Sequence, residues 1–233
     1  FESRKFWLIA QRRADALIAM AIVAVCQTMA TVAFHTVTNN RILTPSIMGF
    51  ESLYVAINTA TIFFFGTAGL NDARTLPTFL FQMALMVGLS LVLYSWLLTN
   101  NTHNMHAMLL VGVVIGGGLG SLSTFMQRIL TPSEFDVLTA RLFGSINNAE
   151  SDYYPIVIPI VAIVATLLLL NARTLNAISL GNDVSTNLGV NHKGHAIYTL
   201  ILVSLLMATT TALVGPMTFL GFLVATLAYQ FTD

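Results

Sequence analysis

The sequence predicts an all-α membrane protein that crosses the bilayer several times. Of its 233 residues, 56% are hydrophobic and 9% are charged, whereas a soluble domain carries about 25% charged residues. The apolar residues collect in runs close to the roughly 20 residues that a helix needs to cross a hydrocarbon core about 30 Å thick. Ten Lys and Arg balance ten Asp and Glu, so no net charge attracts nucleic acid. A soluble enzyme, a disordered segment and a nucleic-acid binder are therefore poor fits.

Six runs without Asp, Glu, Lys or Arg are predicted to be membrane spans. They are residues 16–34, 52–68, 77–98, 107–127, 153–170 and 196–214. Pro77, which opens the third run, suits a first helical turn. The second run holds Asn58 and several threonines, and it is long enough to cross the bilayer if Glu51 lies at the membrane interface. A seventh apolar segment, 216–229, is short, so we expect a re-entrant or half-length helix there, or a span cut off by the chain end.

Three connecting segments are longer than a simple turn, and they comprise residues 35–49, 129–152 and 171–195. The first contains Asn39-Asn40-Arg41 and then Thr44-Pro45-Ser46, which predicts a helix end followed by a restart. The second mixes acidic and apolar residues, which predicts a short surface helix beside the bilayer. Counting Lys and Arg at the span ends does not fix the orientation.

The spans lack the chemistry of an ion-coupled carrier or of an enzyme. Such a carrier usually keeps a charged side chain inside its spans, whereas Asp15 and Glu51 lie at span edges and are interpreted as interfacial charges. No zinc-binding HExxH helix and no phosphate-binding loop occurs. Two histidine pairs with metal-ligand spacing stand in polar loops without supporting cysteines or carboxylates, so we expect solvated histidines and no metal. These pairs are His103 with His106, and His192 with His195.

A glycine-rich run lies inside the fourth span. Gly112, Gly116 and Gly120 form two overlapping GxxxG spacings, and small residues let helix backbones approach closely in lipid. Tight packing inside a helix bundle is one interpretation. A glycine-faced helix beside a wide translocation path is the other, and the sequence leaves both open.

The segment 171–195 is predicted to form two short helices that are too polar to enter lipid. Gly189 closes the stretch as a C-terminal cap does. One side of the segment is apolar, with Leu175, Ile178, Val184, Leu188 and Val190. A helix lying on lipid would carry more Lys, Arg and aromatic residues around its polar side, so we expect this segment to dock against another protein.

Three motifs in this chain resemble those of one transporter family. Residues 179–190, Ser-Leu-Gly-Asn-Asp-Val-Ser-Thr-Asn-Leu-Gly-Val, resemble the coupling-loop motif of the ABC importer permeases for iron–siderophore chelates, haem and vitamin B12. Residues 38–49 resemble the family's Asn-Pro-Leu-Ala-x-Pro turn, and residues 214–224 resemble its Gly-Pro-Ile-x-Phe-x-Gly-Leu segment. The order and spacing of the motifs also match, so the resemblance covers nearly the whole chain.

The resemblance implies a ten-helix permease fold of the type II ABC importers. Because this chain starts just before the family's second span and ends near its eighth, we expect the first and last helices to be missing. Residues 1–13 would be periplasmic and residues 171–195 would form a cytoplasmic coupling loop. The position-by-position match also assigns site residues. The residues that would couple to the ATPase are Leu180, Gly181, Asp183, Val184, Leu188 and Gly189. The residues that would form the cytoplasmic gate or translocation path are Asn40, Ile42, Met105 and His106. Arg13 would dock the binding protein.

The chain departs from the family pattern at several positions. The second periplasmic arginine is replaced by Ala16, which puts the docking pair in doubt. Arg41 stands where the turn usually has proline, and His35 where glutamine is common. Ala225-Thr226 replaces a Pro-His pair. Together with the residues of the 38–49 turn, these departures make the chain most similar to the siderophore branch of the family and less similar to the vitamin B12 branch.

The resemblance implies a transport subunit that is not itself an enzyme. It would move a ferric siderophore across the bacterial inner (plasma) membrane as a multi-pass protein. Its partners would be a second permease, identical or paralogous, two ATPase subunits and a periplasmic or lipid-anchored binding protein. The chain would bind no cofactor, because ATP and Mg²⁺ belong to the ATPases. The alternatives are a haem or vitamin B12 permease, an ion-coupled secondary carrier and a membrane scaffold without transport.

Overall fold

A computed structural model describes the backbone of residues 2–71, 75–99 and 105–232, and the side chains of residues 6–66, 75–92, 110–147 and 149–232. Within these ranges the chain forms ten α-helices and no strand. The helices are α1 (Glu2–Thr38), α2 (Phe50–Asn71), α3 (Leu76–Thr99), α4 (Met105–Gln127), α5 (Pro132–Leu142), α6 (Tyr154–Leu170), α7 (Ala172–Ile178), α8 (Asn182–Asn187), α9 (His192–Val214) and α10 (Leu220–Thr232). The short 3-10 turns are Pro45–Met48, Ile146–Asn148 and Ser151–Tyr153.

Among the residues whose side chains are described, four helical stretches are long and apolar enough to cross a membrane. They are Phe6–Thr38, Leu110–Gln127, Ser151–Leu170 and His192–Val214. Two other predicted spans lie in α2 and α3, whose described apolar parts are Phe50–Gly66 and Leu76–Val92, and the segment 216–229 overlaps the apolar helix Leu220–Thr232. The apolar runs therefore locate the helices, while the number of helices that cross the bilayer stays a prediction.

The core of the protein is built around α9. This helix is buried on nearly all sides, and α1, α3 and α6 pack against it. Leu200, Leu206 and Met207 of α9 are essentially inaccessible to solvent. Its buried Thr209 donates a hydrogen bond to the carbonyl of Leu205 one turn earlier, at 2.6 Å, so the hydroxyl does not remain unpaired in an apolar core. A helix that is apolar on all sides is expected in the centre of a bundle.

The predicted helix end and restart in the first connecting segment is confirmed. α1 ends at Asn39, whose positive φ of 54° allows the Asn40 N–H to bond the carbonyl of His35 at 3.3 Å. The chain starts again in the turn Pro45–Met48, which closes at Gly49 with a φ of 99°. Beyond it, α2 is broken at Gly66, whose φ is 68°.

The predicted surface helix in the second connecting segment is also present, as α5. Its first turn carries a capping box, in which Glu134 accepts a hydrogen bond from the Thr131 backbone N–H at 3.0 Å. Leu138 is fully buried against Ile62 of α2, so α5 is attached to the bundle by one apolar side.

Candidate functional site

The predicted coupling loop, residues 171–195, contains the predicted pair of short helices, and its last residues begin α9 at His192. Gly181 joins α7 to α8 with φ 95° and ψ 169°, a conformation that is open essentially to glycine alone. Gly189 has a φ of 82° and ends α8 as predicted. Its N–H bonds the Thr186 carbonyl at 2.9 Å, while the N–H of Val190 bonds the Ser185 carbonyl at 3.0 Å. This pair of bonds is the Schellman cap.

The coupling loop has exposed apolar residues on its outside and buried residues that pack against the bundle. Leu180, Val184 and Leu188 are 57%, 46% and 62% exposed, and we call them the apolar row. Val184 and the C-cap residue Leu188 lie one helical turn apart, whereas Leu180 precedes Gly181, outside α8. Ile178 is buried and Ser185 is fully buried on the inner side. Asp183 is exposed in the first turn of α8, where a negative charge is favourable. The apolar row can therefore contact a partner protein, while buried Ile178 and Ser185 hold the loop against the rest of the protein.

Polar contacts fix the coupling loop to the start of α9. The Ser185 hydroxyl lies 2.8 Å from Nδ1 of His192. The Asn191 side chain caps α9 by accepting the N–H of Gly194 at 3.1 Å. His192 is partly exposed, and its ring also contacts Ser185, which the prediction of a solvated histidine did not include. His195 is also half-buried, and the side chains of His103 and His106 lie outside the described residues. Among those described, no group of three or more His, Cys, Asp or Glu could hold a metal.

The turn after α1 holds two of the predicted gate residues. The Asn40 side chain accepts the backbone N–H of Ile42 at 2.9 Å, which folds the turn tightly and leaves the Ile42 side chain 76% exposed. The other two, Met105 and His106, begin α4, but their side chains lie outside the described residues. Arg13 lies on the exposed part of α1. The roles assigned to these residues stay predictions.

Two of the departures from the family pattern meet at one aromatic ring. The Arg41 guanidinium lies 4.7 Å from the centre of the Tyr229 ring, a cation–π contact. The Tyr229 hydroxyl lies 3.1 Å from Nδ1 of His35, and the two rings are stacked. The substitutions at positions 35 and 41 thus belong to one cluster that joins α10 to the end of α1. Sequence reasoning treated them as separate, and nothing in the sequence indicated Tyr229.

The motif at residues 214–224 is held by glycines in very close contacts. A Cβ atom on Gly144 would overlap the carbonyl oxygen of Pro216, and one on Gly215 would lie 3.2 Å from the Cα of Gly144. The Ser145 N–H also donates to the Val214 carbonyl at 2.9 Å. The backbones on the two sides therefore touch, which requires glycine. Sequence reasoning missed Gly144 because no local pattern marks it.

Gly221 is the point of closest approach between α10 and α1. A Cβ atom there would lie 2.6 Å from Oγ1 of Thr31 and 2.9 Å from Oε1 of Gln27. Gln27 donates to the hydroxyl of Thr210 on α9 at 3.2 Å, so this polar contact joins three helices. The glycine of the third motif is therefore needed for space.

The motifs at residues 38–49 and 214–224 meet beside Glu51. The Thr218 hydroxyl donates a hydrogen bond to Oε2 of Glu51, which links the turn at residues 39–51 to the segment at residues 214–221. We call these two segments the central contact. Glu51 is half-buried here, and Gly49 lies against Gly116, the central residue of α4. Glu51 stands in the first turn of α2, at the edge of the predicted span 52–68, and its position at the membrane interface stays a prediction.

Only part of the glycine-rich run of α4 serves helix packing. Cβ atoms on Gly112 and Gly116 would lie 3.2 Å from the end of Met48 and 3.1 Å from Gly49, so these two glycines serve packing. No atom lies within 4 Å of the Cβ positions of Gly117, Gly118 and Gly120. The packing interpretation is correct for the first two glycines, and the other three stay open on an outer face.

Comparisons with known proteins agree with this architecture. The model of the FecCD transport family matches residues 2–233. The chain is 54% identical over 229 residues to the petrobactin import system permease protein FatC of Bacillus anthracis, covering 98% of this chain and 65% of FatC. It is 37% identical over 220 residues to the petrobactin import system permease protein YclO of Bacillus subtilis (strain 168), covering 94% of this chain and 70% of YclO. The chain thus spans slightly less than two thirds of FatC.

A solved structure confirms the fold. It is described as an inward-facing conformation of an ABC transporter of the metal-chelate type. The match has a TM-score of 0.79 at 21% identity and covers 99% of this chain and 73% of the solved chain. The predicted all-α permease fold is confirmed, and so is the family resemblance drawn from the three motifs. This chain is a membrane protein that belongs to the FecCD transport family.

Proposed function

We propose that this chain is the permease subunit of an ATP-driven importer that carries a ferric siderophore across the bacterial inner membrane. The observation that carries the proposal is the exposed apolar row of Leu180, Val184 and Leu188 on a loop that is anchored by buried Ile178 and by the Ser185–His192 contact. Large apolar side chains exposed close together in a short polar loop are typical of a protein–protein contact. Membership of the FecCD family and the identity to FatC support the cargo class.

Coupling would start at this row. An ATPase subunit would bind Leu180, Val184 and Leu188, with Asp183 at the polar edge of the contact. Its movement would pass through buried Ile178, and through the Ser185–His192 contact, to α1 and α9. α9 ends at the central contact, where the Val214 carbonyl accepts the Ser145 N–H. A push on the loop would thus reach the turn that carries the predicted gate residues Asn40 and Ile42, and α4, which begins at Met105 and His106.

The remaining partners follow from the same proposal. A second permease would lie against the exposed side of α4, where Gly117, Gly118 and Gly120 leave open space. The binding protein would dock near Arg13 at the start of α1. ATP and Mg²⁺ would be bound by the two ATPase subunits. An ion-coupled carrier is the competing function class, and uptake that continues in vesicles without ATP would support it.

Copurification of the tagged full-length protein tests the proposal. We expect a stoichiometric ATPase subunit with the wild type, and its loss when Leu180, Val184 and Leu188 are all changed to serine. Thr186→Ala is the matched control, because Thr186 is also exposed on α8 and lies outside the apolar row. A bulky residue at Gly181 should abolish uptake while expression is kept. Normal uptake in that variant, or a wild type without any ATPase, would contradict the proposal.

A transport comparison tests the cargo. Competition for uptake among ferric petrobactin, haem and vitamin B12 should favour the siderophore, because the relatives named for petrobactin import reach 54% and 37% identity. Preferential uptake of haem or vitamin B12 would move the chain to another branch of the same family.

A further inference from the structure

α10 lies along the last part of α1 and reaches the turn that follows it. Near the start of α10, a Cβ atom on Gly221 would lie 2.6 Å from Oγ1 of Thr31. Further along both helices, the Tyr229 hydroxyl lies 3.1 Å from Nδ1 of His35. The two helices therefore run side by side in the same direction, which brings the far end of α10 to the turn at residues 39–51.

Two contacts attach the turn at residues 39–51 to α10 and to the residues just before it. Near the start of the turn, the Arg41 guanidinium lies 4.7 Å from the centre of the Tyr229 ring. At the end of the turn, Glu51 accepts a hydrogen bond from the hydroxyl of Thr218, which shortly precedes α10. The order of the contacts is reversed between the two segments. The turn therefore runs back along α10 and is attached to this region at both of its ends.

Tyr229 joins three parts of the protein through one side chain. Its ring contacts the guanidinium of Arg41, while its hydroxyl group meets the ring of His35, and the two rings stack. His35 is only 4% exposed and belongs to the packed interior, whereas Arg41 is exposed. The buried histidine therefore orients the tyrosine, and the tyrosine ring holds the exposed arginine in place.

Arg41 stands between Asn40 and Ile42, two of the residues that are predicted to form the gate. The Asn40 side chain accepts the Ile42 N–H at 2.9 Å, so these three consecutive residues form one tight turn. A contact that holds the Arg41 side chain therefore limits the movement of both neighbours. The Ile42 side chain is 76% exposed, so its position depends on how the turn is held and little on packing of its own.

We infer that Tyr229 is a positioning residue for the gate, and that α10 and the turn at residues 39–51 move as one unit. Tyr229 acts through Arg41, which it holds at the start of the turn. Movement of the segment 214–221 is then carried along α10 to the predicted gate residues. The gating role rests on the proposed function, whereas the attachment of the turn to α10 rests on geometry alone.

The mobility of a nitroxide label at position 42 tests this inference on the purified full-length protein, without ATPase or cargo. Ile42→Cys places the label on an exposed side chain, while Cys26 is fully buried, and the same protein without Ile42→Cys measures any other labelling. Tyr229→Leu removes the ring and Arg41→Met removes the charge. Each should raise the ratio of mobile to immobile label about two- to fivefold, as expected for an exposed cation–π contact. Tyr229→Phe keeps the ring for Arg41 and should give a smaller rise.

A matched tyrosine separates positioning from a general loss of stability. Tyr154 also joins α1 to another helix, because its hydroxyl donates to the Asp15 carbonyl at 2.9 Å. Asp15 lies about 30 Å before His35 along α1, so this contact is remote from the turn. Tyr154→Leu should therefore lower the thermal midpoint and leave the label at position 42 unchanged.

The double variant Tyr229→Leu/Arg41→Met completes the test. If the two side chains act through one contact, its label is no more mobile than that of the more mobile single variant. Additive effects, an unchanged label in both single variants, or an equal rise in Tyr154→Leu would overturn the inference. Arg41→Met decides the matter if Tyr229→Leu does not fold. None of these results depends on transport, so copurification of the ATPase remains a separate test of the proposed function.

Discussion

The coupling loop and the central contact both depend on glycine, but for different reasons. Gly181 and Gly189 in the coupling loop have positive φ values, and a Cβ atom on either would meet nothing within 4 Å. Gly144, which lies against Pro216 of the central contact, and Gly221 within it have no room for a Cβ atom. The coupling loop therefore needs glycine for its backbone conformation alone, whereas the central contact, where Gly49 and Gly215 also have positive φ values, needs it for close approach as well. Substitutions should separate these two needs.

The largest effect is expected for Gly144→Ala. The added Cβ overlaps the Pro216 carbonyl oxygen, a backbone atom that cannot rotate away, and the Ser145–Val214 bond beside it would be disturbed. Overpacking of this kind costs about 1–3 kcal/mol and occasionally more, so we expect a large loss of folded protein. The yield of monodisperse protein and the thermal midpoint measure the effect. Gly117→Ala is the control, because its Cβ is in open space and alanine favours a helix interior by up to about 1 kcal/mol. Equal behaviour of the two variants would remove the distinction between the two regions.

A smaller loss is expected for Gly221→Ala, because its Cβ meets side-chain atoms. Oγ1 of Thr31 at 2.6 Å and Oε1 of Gln27 at 2.9 Å can move, so the cost should fall near the lower end of about 1–3 kcal/mol. Thr31→Ala removes the nearer atom. The double variant should recover part of the loss, and a double-mutant cycle on the thermal midpoint measures that coupling. Additive effects of the two changes would show that α1 and α10 are not limited by this contact.

In the coupling loop, Gly181→Ala should cost about 1–3 kcal/mol, and this cost should come from backbone conformation alone. Asparagine should not help at this position, because a φ of 95° with a ψ of 169° lies outside the left-handed region that asparagine tolerates. At Gly189, which occupies a helix-capping position, asparagine should be nearly neutral. Binding of the ATPase subunit, compared with the thermal midpoint, measures the local effect. An Asn variant at position 181 that equals the wild type in both measurements would contradict the conformational explanation.

The sequence predicts structure well where the relevant information is local. Runs of apolar residues locate the helices, and Gly189 after a short polar helix predicts its cap, because both depend on neighbours in the chain. Contacts between distant segments were not predictable. Gly144 has no local pattern that indicates Pro216, and Arg41 and His35 are joined only through Tyr229 on another helix. These contacts depend on how the helices are packed.

The packing of Gly49 shows the same limit in a different way. The local sequence predicts a turn before α2, but it does not predict that this turn packs against Gly116 in the middle of α4. The GxxxG spacing predicts a close approach there without identifying the partner. It also does not show which glycines of the run face outward, because every residue of the run has the same local surroundings.

The smallest expected effect concerns α5, which is anchored by buried Leu138 and begins with an exposed capping box. Hydrogen bonds from the Thr131 backbone and hydroxyl hold the pKa of Glu134 below its ordinary value of 4.5. The stabilising contribution of the charged group is therefore fully present above the unfolded-state pKa, and it is lost as the pH falls through the lower folded-state value. Comparison of thermal midpoints for the wild type and Glu134→Gln should show a small difference between pH 5 and 7 that disappears toward about pH 3. A difference that stays constant over this range would mean that the charge of Glu134 does not contribute to the stability of α5.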